Sequence, residues 1–169
     1  MDQGVAAIAG AVVGALATGG TALVAARSSF RVQKSQARRA AYHELLLALR
    51  DLYGPARRCL LESLARTEGE YAALSDEALV ALRDEVNGLI LPVSRACVAI
   101  ELEGPDALVE IAKEAADDAK YHAHAALSMA WSADAGREVT EAEKRNAQDA
   151  YGRTVTSTNR FSEHARRQL

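Results

Sequence analysis

The sequence is poor in the residues that build β-sheets, disulfide frameworks and metal knuckles: three Pro, two Cys, two Phe and one Trp in 169 residues. The two cysteines, Cys59 and Cys97, stand in neither a CxxC nor a zinc spacing, which excludes a disulfide scaffold and predicts free, buried thiols. No P-loop, GxGxxG or GxSxG occurs, and His43-Glu44 fails as HExxH because Leu47 holds the position of the second histidine. No cofactor motif is present, and no cofactor or catalytic residue is expected. No internal repeat, low-complexity tract or strand alternation interrupts the chain. What is abundant is Ala, Arg, Glu and Leu, a helix-forming composition.

One stretch also lacks charge altogether. Val5 to Ala26 is an uncharged run of twenty-two residues drawn from Ala, Gly, Val, Leu, Ile and Thr. As a helix it would be roughly 33 Å long, against a hydrocarbon core of about 30 Å, so it reads as a transmembrane anchor within residues 1–29. Ala6, Gly10, Gly14, Thr18, Ala22 and Ala26 recur every four positions, and Gly10 to Gly14 is a GxxxG. A small stripe of this kind lets two backbones approach closely in lipid and predicts self-association into a homo-oligomer; an Ala/Gly-rich run can also generate it by composition alone. A cleavable signal peptide would need a basic n-region, which Met1 to Gly4 do not supply, although Val24-Ala25-Ala26 would suit a peptidase. A buried soluble helix is compatible with Ala and Gly, whereas a surface amphipathic helix would need a polar face that is missing.

The flanks set an expected orientation. Arg27, Arg31, Lys34, Arg38 and Arg39 follow the run with no acid among them, while Asp2 is the one charge before it. The positive-inside rule then places the N-terminus outside and the rest of the chain in the cytoplasm, as a single-pass protein of the cell inner membrane. The five basic residues are candidate lipid-headgroup contacts, each worth about 1 kcal/mol near an anionic leaflet. The chain as a whole has net charge −3, so the part beyond this cluster is markedly acidic, and no nucleic-acid partner is expected.

Residues 30–169 suit one domain with a real core. Tyr42, Leu45, Leu49, Leu52, Ala56 and Cys59 alternate three and four apart and predict a bundle helix over about 30–66, bent at Gly54-Pro55, with the strict pattern ending at Cys59 because Ser63 is polar. Ser75 caps a second helix over 76–103, whose stripe is Leu79, Leu82, Val86, Leu89, Val93, Ala96 and Ile100. Gly88, four residues before Pro92, is the smallest residue at the position a proline ring crowds. This helix is the most apolar of the four and is expected to be the central one. A third helix over 105–133 opens after Gly104 and turns a small face inward: Leu108, Ala112, Ala115, Ala119, His122, Ala126 and Met129. Thr140 and Glu143 form a capping box for a fourth helix over 141–167, whose stripe of Ala147, Tyr151, Thr154, Thr158, Phe161 and Ala165 is partly polar. Short connections make these an antiparallel up-down four-helix bundle with long, Pro-kinked helices.

The third helix also carries Glu114, Asp118 and His122 at four-residue spacing, with Glu110, Asp117 and His124 nearby. Carboxylates and an imidazole on one face can ligate a divalent metal. The alternative is a solvated face relieved by Lys113 and Lys120, with His122 a polar filler of the core. Taken with Arg38-Arg39-Ala40-Ala41-Tyr42, the Ala/Gly-rich anchor and the Ala/Arg-rich composition, residues 5–53 resemble uncharacterised small single-pass membrane proteins of high-GC actinobacteria, a resemblance that implies an anchor and no activity. The functional expectation is a membrane-anchored helical adaptor or scaffold that self-associates and binds a cytoplasmic protein. The alternative is a metal-binding or enzymatic bundle using the Glu/Asp/His face.

Overall fold

In a computed structural model, the backbone is described for residues 3–69 and 74–168, and side chains for 29–69 and 74–168. The expected anchor and its stripe, Ala6, Gly10, Gly14, Thr18 and Ala22, with the headgroup candidate Arg27, therefore lie outside the residues whose side chains are described. Among the described residues there is no strand and no helix long and apolar enough to cross a membrane. The chain is all-α, with α1 Gln3–Thr67, α2 Asp76–Glu103, α3 Asp106–Asp134 and α4 Glu141–Arg167. It divides into two compact units, Met1–Ala37 and Arg38–Leu169. In the first, Phe30 and Val32 stand exposed. The second is the bundle.

The starts of α2 and α4 and the end of α3 each have a local reason. The Ser75 side chain accepts from the Ala78 amide at the start of α2. Thr140 and Glu143 make the reciprocal capping box of α4, satisfying two of the amides that a helix start leaves open. Gly136 takes φ +61° directly after α3, a left-handed turn that suits glycine. Pro55 and Pro92 both lie inside continuous helices. Neither breaks its helix, because the apolar stripes on both sides of each proline pack into the same core.

Side-chain pairs fix the directions. Arg66 at the end of α1 meets Asp76 at the start of α2 at 2.6 Å, and Arg38 Nε donates to the Glu103 carbonyl at the far end of α2. Arg83 and Asp134 join α2 to α3, as Glu101 and Lys113 do at the opposite end. Glu114 meets Arg160 and Tyr121 meets Asn146 across α3 and α4, and α4 returns along α1 from Lys144–Glu68 to Phe161–Tyr42. Consecutive helices are antiparallel, with α1 and α4 adjacent.

The core follows the predicted stripes of α1, α2 and α3 closely, with Leu89 half-buried; on α4, Tyr151 and Thr158 are half-buried while Ala150 and Ser157, one position back, are buried instead. Two further expectations are corrected. Ser63 does not end the α1 stripe: it is fully buried, its hydroxyl donating back to the Cys59 carbonyl at 2.6 Å, which removes the cost of burying it. Nor is α2 the central helix. Twelve α3 residues are buried against eight on α2, because apolar content does not decide centrality where alanine permits closeness. Ala112, Ala115, Ala116, Ala119, Ala123, Ala126 and Ala130 are all buried, and this low surface lets α1 approach α3 until Cys59 Sγ lies 3.8 Å from the Ala126 carbonyl. The hydrophobicity of α2 is spent partly outward, on Leu91, Val98 and Leu102.

Burial also settles the thiols. Cys59 and Cys97 are free and buried, and burial pushes the Cys59 thiol up to about 11, so it stays protonated and unreactive near neutrality.

Candidate functional site

The seam between α1 and α4 is incompletely filled. The buried face of α4, shared between α1 and α3, consists of Ala147, Ala150, Thr154, Ser157, Phe161 and Ala165, where Phe161 alone is bulky. Two open cavities lie along the seam. One of about 300 Å³ is lined by Leu46, Leu49 and Tyr53 of α1 and by Thr154, Val155 and Thr158 of α4, among others. The other, about 170 Å³, is lined by Arg57, Leu60, Leu61, Leu64, Gln148 and Tyr151. Both have the concave, mostly apolar character of a binding groove.

Between them stands a pair of tyrosines. Tyr53 and Tyr151 stack with ring centroids 5.4 Å apart and share a hydroxyl–hydroxyl hydrogen bond of 2.5 Å. Burial, aided by the bond to Tyr151, raises the Tyr53 phenol to about 12, and the Arg57 guanidinium lies 5.9 Å from the Tyr151 ring centre. His122 of α3 meets the Tyr151 ring edge-on at 5.6 Å. It is buried, with no hydrogen-bond partner on either ring nitrogen. Desolvation holds its pKa down at about 4, so the ring is neutral at physiological pH.

This geometry separates the α3 triad. Glu114 is exposed and bound to Arg160 at 2.7 Å, and Asp118 lies 3.8 Å from Arg153. Both line an open α3/α4 groove of about 640 Å³. His122 does not join them. Steps of four residues advance about 40° around a helix, so the series turns from the rim at Glu114 into the core at His122. Among the described residues no group of three or more His, Cys, Asp or Glu is placed to hold a metal ion. Asp117 pairs with Lys120, while His124 is exposed. No family model, curated protein or solved structure matches the chain.

The basic residues after the apolar run are likewise not equivalent. Arg31 and Lys34 are exposed, whereas Arg38 is engaged 2.6 Å from the Glu103 carbonyl, where it closes the end of α2. Arg39 also has interactions of its own. One functional-looking group escaped sequence reasoning entirely. Arg83 is buried, pairs with Asp134 at 2.8 Å and lies 4.3 Å from the centre of the Trp131 ring. The available signal was its place beside Leu82 and Val86 on the inward edge of α2, where a long stem can be buried while its head finds a carboxylate.

Where α4 begins, the structure predicts an acid response. Hydrogen bonds from Arg137 and from Thr140 hold the Glu143 carboxyl down at about 2. A depressed carboxyl stabilises above its unfolded value, and that contribution is lost as pH falls from about 4.5 through about 2. Protection factors of the first-turn amides of α4, the exchange rates corrected for their intrinsic pH dependence, are expected to fall over that window in the native protein. In Glu143→Ala protection should be low throughout, and an unchanged protection profile in the variant would show that the box does not hold the turn.

Proposed function

We propose that this chain is a non-enzymatic helical adaptor, tethered to the inner membrane by residues 5–26 with the bundle on the cytoplasmic side, which self-associates and presents the α1/α4 seam to a protein partner. The observation that carries the reading is α4 itself. Its inward face offers one bulky apolar side chain, Phe161, among five small or hydroxyl-bearing residues, and cavities remain on both sides of the Tyr53–Tyr151 pair. A helix held this way can be supplemented or displaced by an amphipathic partner helix entering the same groove.

The tether rests on the uncharged run and on the one-sided basic residues after it. The metal-binding alternative has less support, because Glu114 and Asp118 are already beside Arg160 and Arg153 and His122 lies apart from them. Affinity capture from native membranes, with the full chain and with a chain ending at residue 139, tests the adaptor reading. Removing α4 is expected to alter partner retention strongly, by loss if α4 is recognised and by gain if it is displaced. Recovery of the full chain as a soluble monomer would overturn the tether. Equal capture with and without α4 would overturn the seam as the docking surface.

A further inference from the structure

The outward face of α2 carries a pattern that the packing of one chain does not use. Glu77, Ala81, Asp84, Gly88, Leu91, Arg95, Val98 and Leu102 alternate four and three apart, and all are exposed. They lie opposite the buried set of Leu79, Leu82, Val86, Val93, Ala96 and Ile100. Leu91, Val98 and Leu102 are 54%, 52% and 79% exposed. Four-three spacing places them along one face, the geometry a two-helix coil uses, and apart from Arg95 the C-terminal half of that face is large and apolar.

Gly88 is the second, independent observation. A glycine inside a helix costs about 0.5–1 kcal/mol relative to alanine, and the proline at position 92 does not account for it: a Cβ built on Gly88 would meet nothing within 4 Å. A side chain at position 88 would therefore not meet the Pro92 ring, contrary to the expectation that the ring crowds this position. A small residue on an open helix face, with nothing of its own chain against it, is what close approach by another backbone requires.

We propose that a second copy of this chain packs on that face, α2 against α2, antiparallel. The eight positions divide into a small and acidic half, Glu77, Ala81, Asp84 and Gly88, and a large and basic half, Leu91, Arg95, Val98 and Leu102. In an antiparallel pair related by a two-fold axis, one register sets Asp84 in the layer of the partner's Arg95, Ala81 in that of the partner's Val98, and Gly88 in that of the partner's Leu91. Leu102 falls beside the stem of the partner's Glu77. Every acid–base and small–large match then occurs twice, as an isologous contact demands. A parallel pair would set Asp84 against Asp84, Arg95 against Arg95 and Gly88 against Gly88, combining like charges with voids. The pairing does not depend on residues 5–26; because it turns the two copies end over end, two chains tethered in one membrane form it with α2 lying along the membrane surface.

Cysteine crosslinking of the full chain in membranes tests it, in a Cys59→Ala, Cys97→Ala background. In the antiparallel register, position 81 of one copy lies beside position 98 of the other, while the two copies of position 81 are roughly 25 Å apart along the axis. Chains bearing Ala81→Cys and chains bearing Val98→Cys are expected to crosslink when co-expressed and not when either is expressed alone. Asp84→Arg or Arg95→Asp, added to both chains, should cut the yield roughly ten-fold, and the two together should restore it. The signal is expected to survive Gly10→Leu with Gly14→Leu. Crosslinking by Ala81→Cys alone, or no crosslink in the mixture, would overturn the proposal. Self-association by mass that persists without the mixed crosslink, and is abolished by the Gly10 and Gly14 changes, would leave the anchor as the sole contact and equally overturn it.

Discussion

Replacing His122 by leucine is expected to flatten the acid limb of the stability curve. The native imidazole titrates at about 4 because burial disfavours its charged form, whereas in the unfolded chain it titrates near 6.5. Between those values the unfolded chain binds a proton that the native chain does not, so stability is full above about pH 6.5 and falls as pH drops towards 4. The difference corresponds to about 3 kcal/mol, a large part of the 5–15 kcal/mol typical of a domain. Denaturant unfolding of the full chain at several pH values between 7.5 and 4 measures it directly. At pH 7.5 the leucine variant should match or exceed the native protein, since two buried nitrogens without partners disappear. A native-like slope in the variant would assign the acid sensitivity elsewhere. Glu143 is the separable second contributor, acting mainly below the His122 window.

Phe161→Ala is the second large effect. Phe161 is fully buried and meets Tyr42 edge-on, with centroids 6.5 Å apart at 89°, while its neighbours on the inward face of α4 are alanine, serine and threonine. Truncating a buried phenylalanine costs about 3–5 kcal/mol. Here the loss should be concentrated on one helix, because apart from its small buried residues α4 is fastened by polar contacts, among them the Tyr53–Tyr151 bond, the Thr154 hydroxyl on the Asp118 carbonyl and rim ion pairs such as Arg160–Glu114 and Lys144–Glu68. Rim pairs each contribute about 0–1 kcal/mol. Hydrogen exchange resolved by helix is expected to show α4 losing most of its protection while Leu45, Leu49 and Val93 stay protected in the core. A drop in stability below about 1 kcal/mol would mean that α4 is held by something other than this ring.

The contrast between these two residues shows what was legible in the sequence. Tyr42 to Cys59, Leu79 to Ile100 and the α3 alanines announce their inward faces, because burying one side of a helix imposes a period that local residues must obey. The caps at Ser75 and at Thr140 with Glu143 are legible for the same reason: they act within four residues. What a period cannot express is depth or partnership. His122 stands on the inward stripe and also completes an apparent ligand series, and only the drift of the helix separates the two roles. Tyr53 and Tyr151 lie 98 positions apart, with nothing local to tie them, although Tyr53 sits beside the α1 stripe and Tyr151 on the expected α4 stripe, where an apolar ring with a polar tip fits a seam. Arg83 reads as a surface charge until Asp134 and Trp131 close over it. The greater centrality of α3 over α2 was hidden because smallness, rather than hydrophobicity, decides which helices come close.

That alanine lining has a thermal consequence. Each buried alanine uncovers far less apolar surface on unfolding than a leucine, and the heat-capacity change of unfolding scales with apolar surface uncovered. With seven alanines on the inward face of α3 alone, the bundle belongs at the low end of the usual range of about 12–15 cal/mol/K per residue. Its stability curve is correspondingly shallow, changing little across the temperatures over which a leucine-filled bundle of the same length would pass through a pronounced maximum.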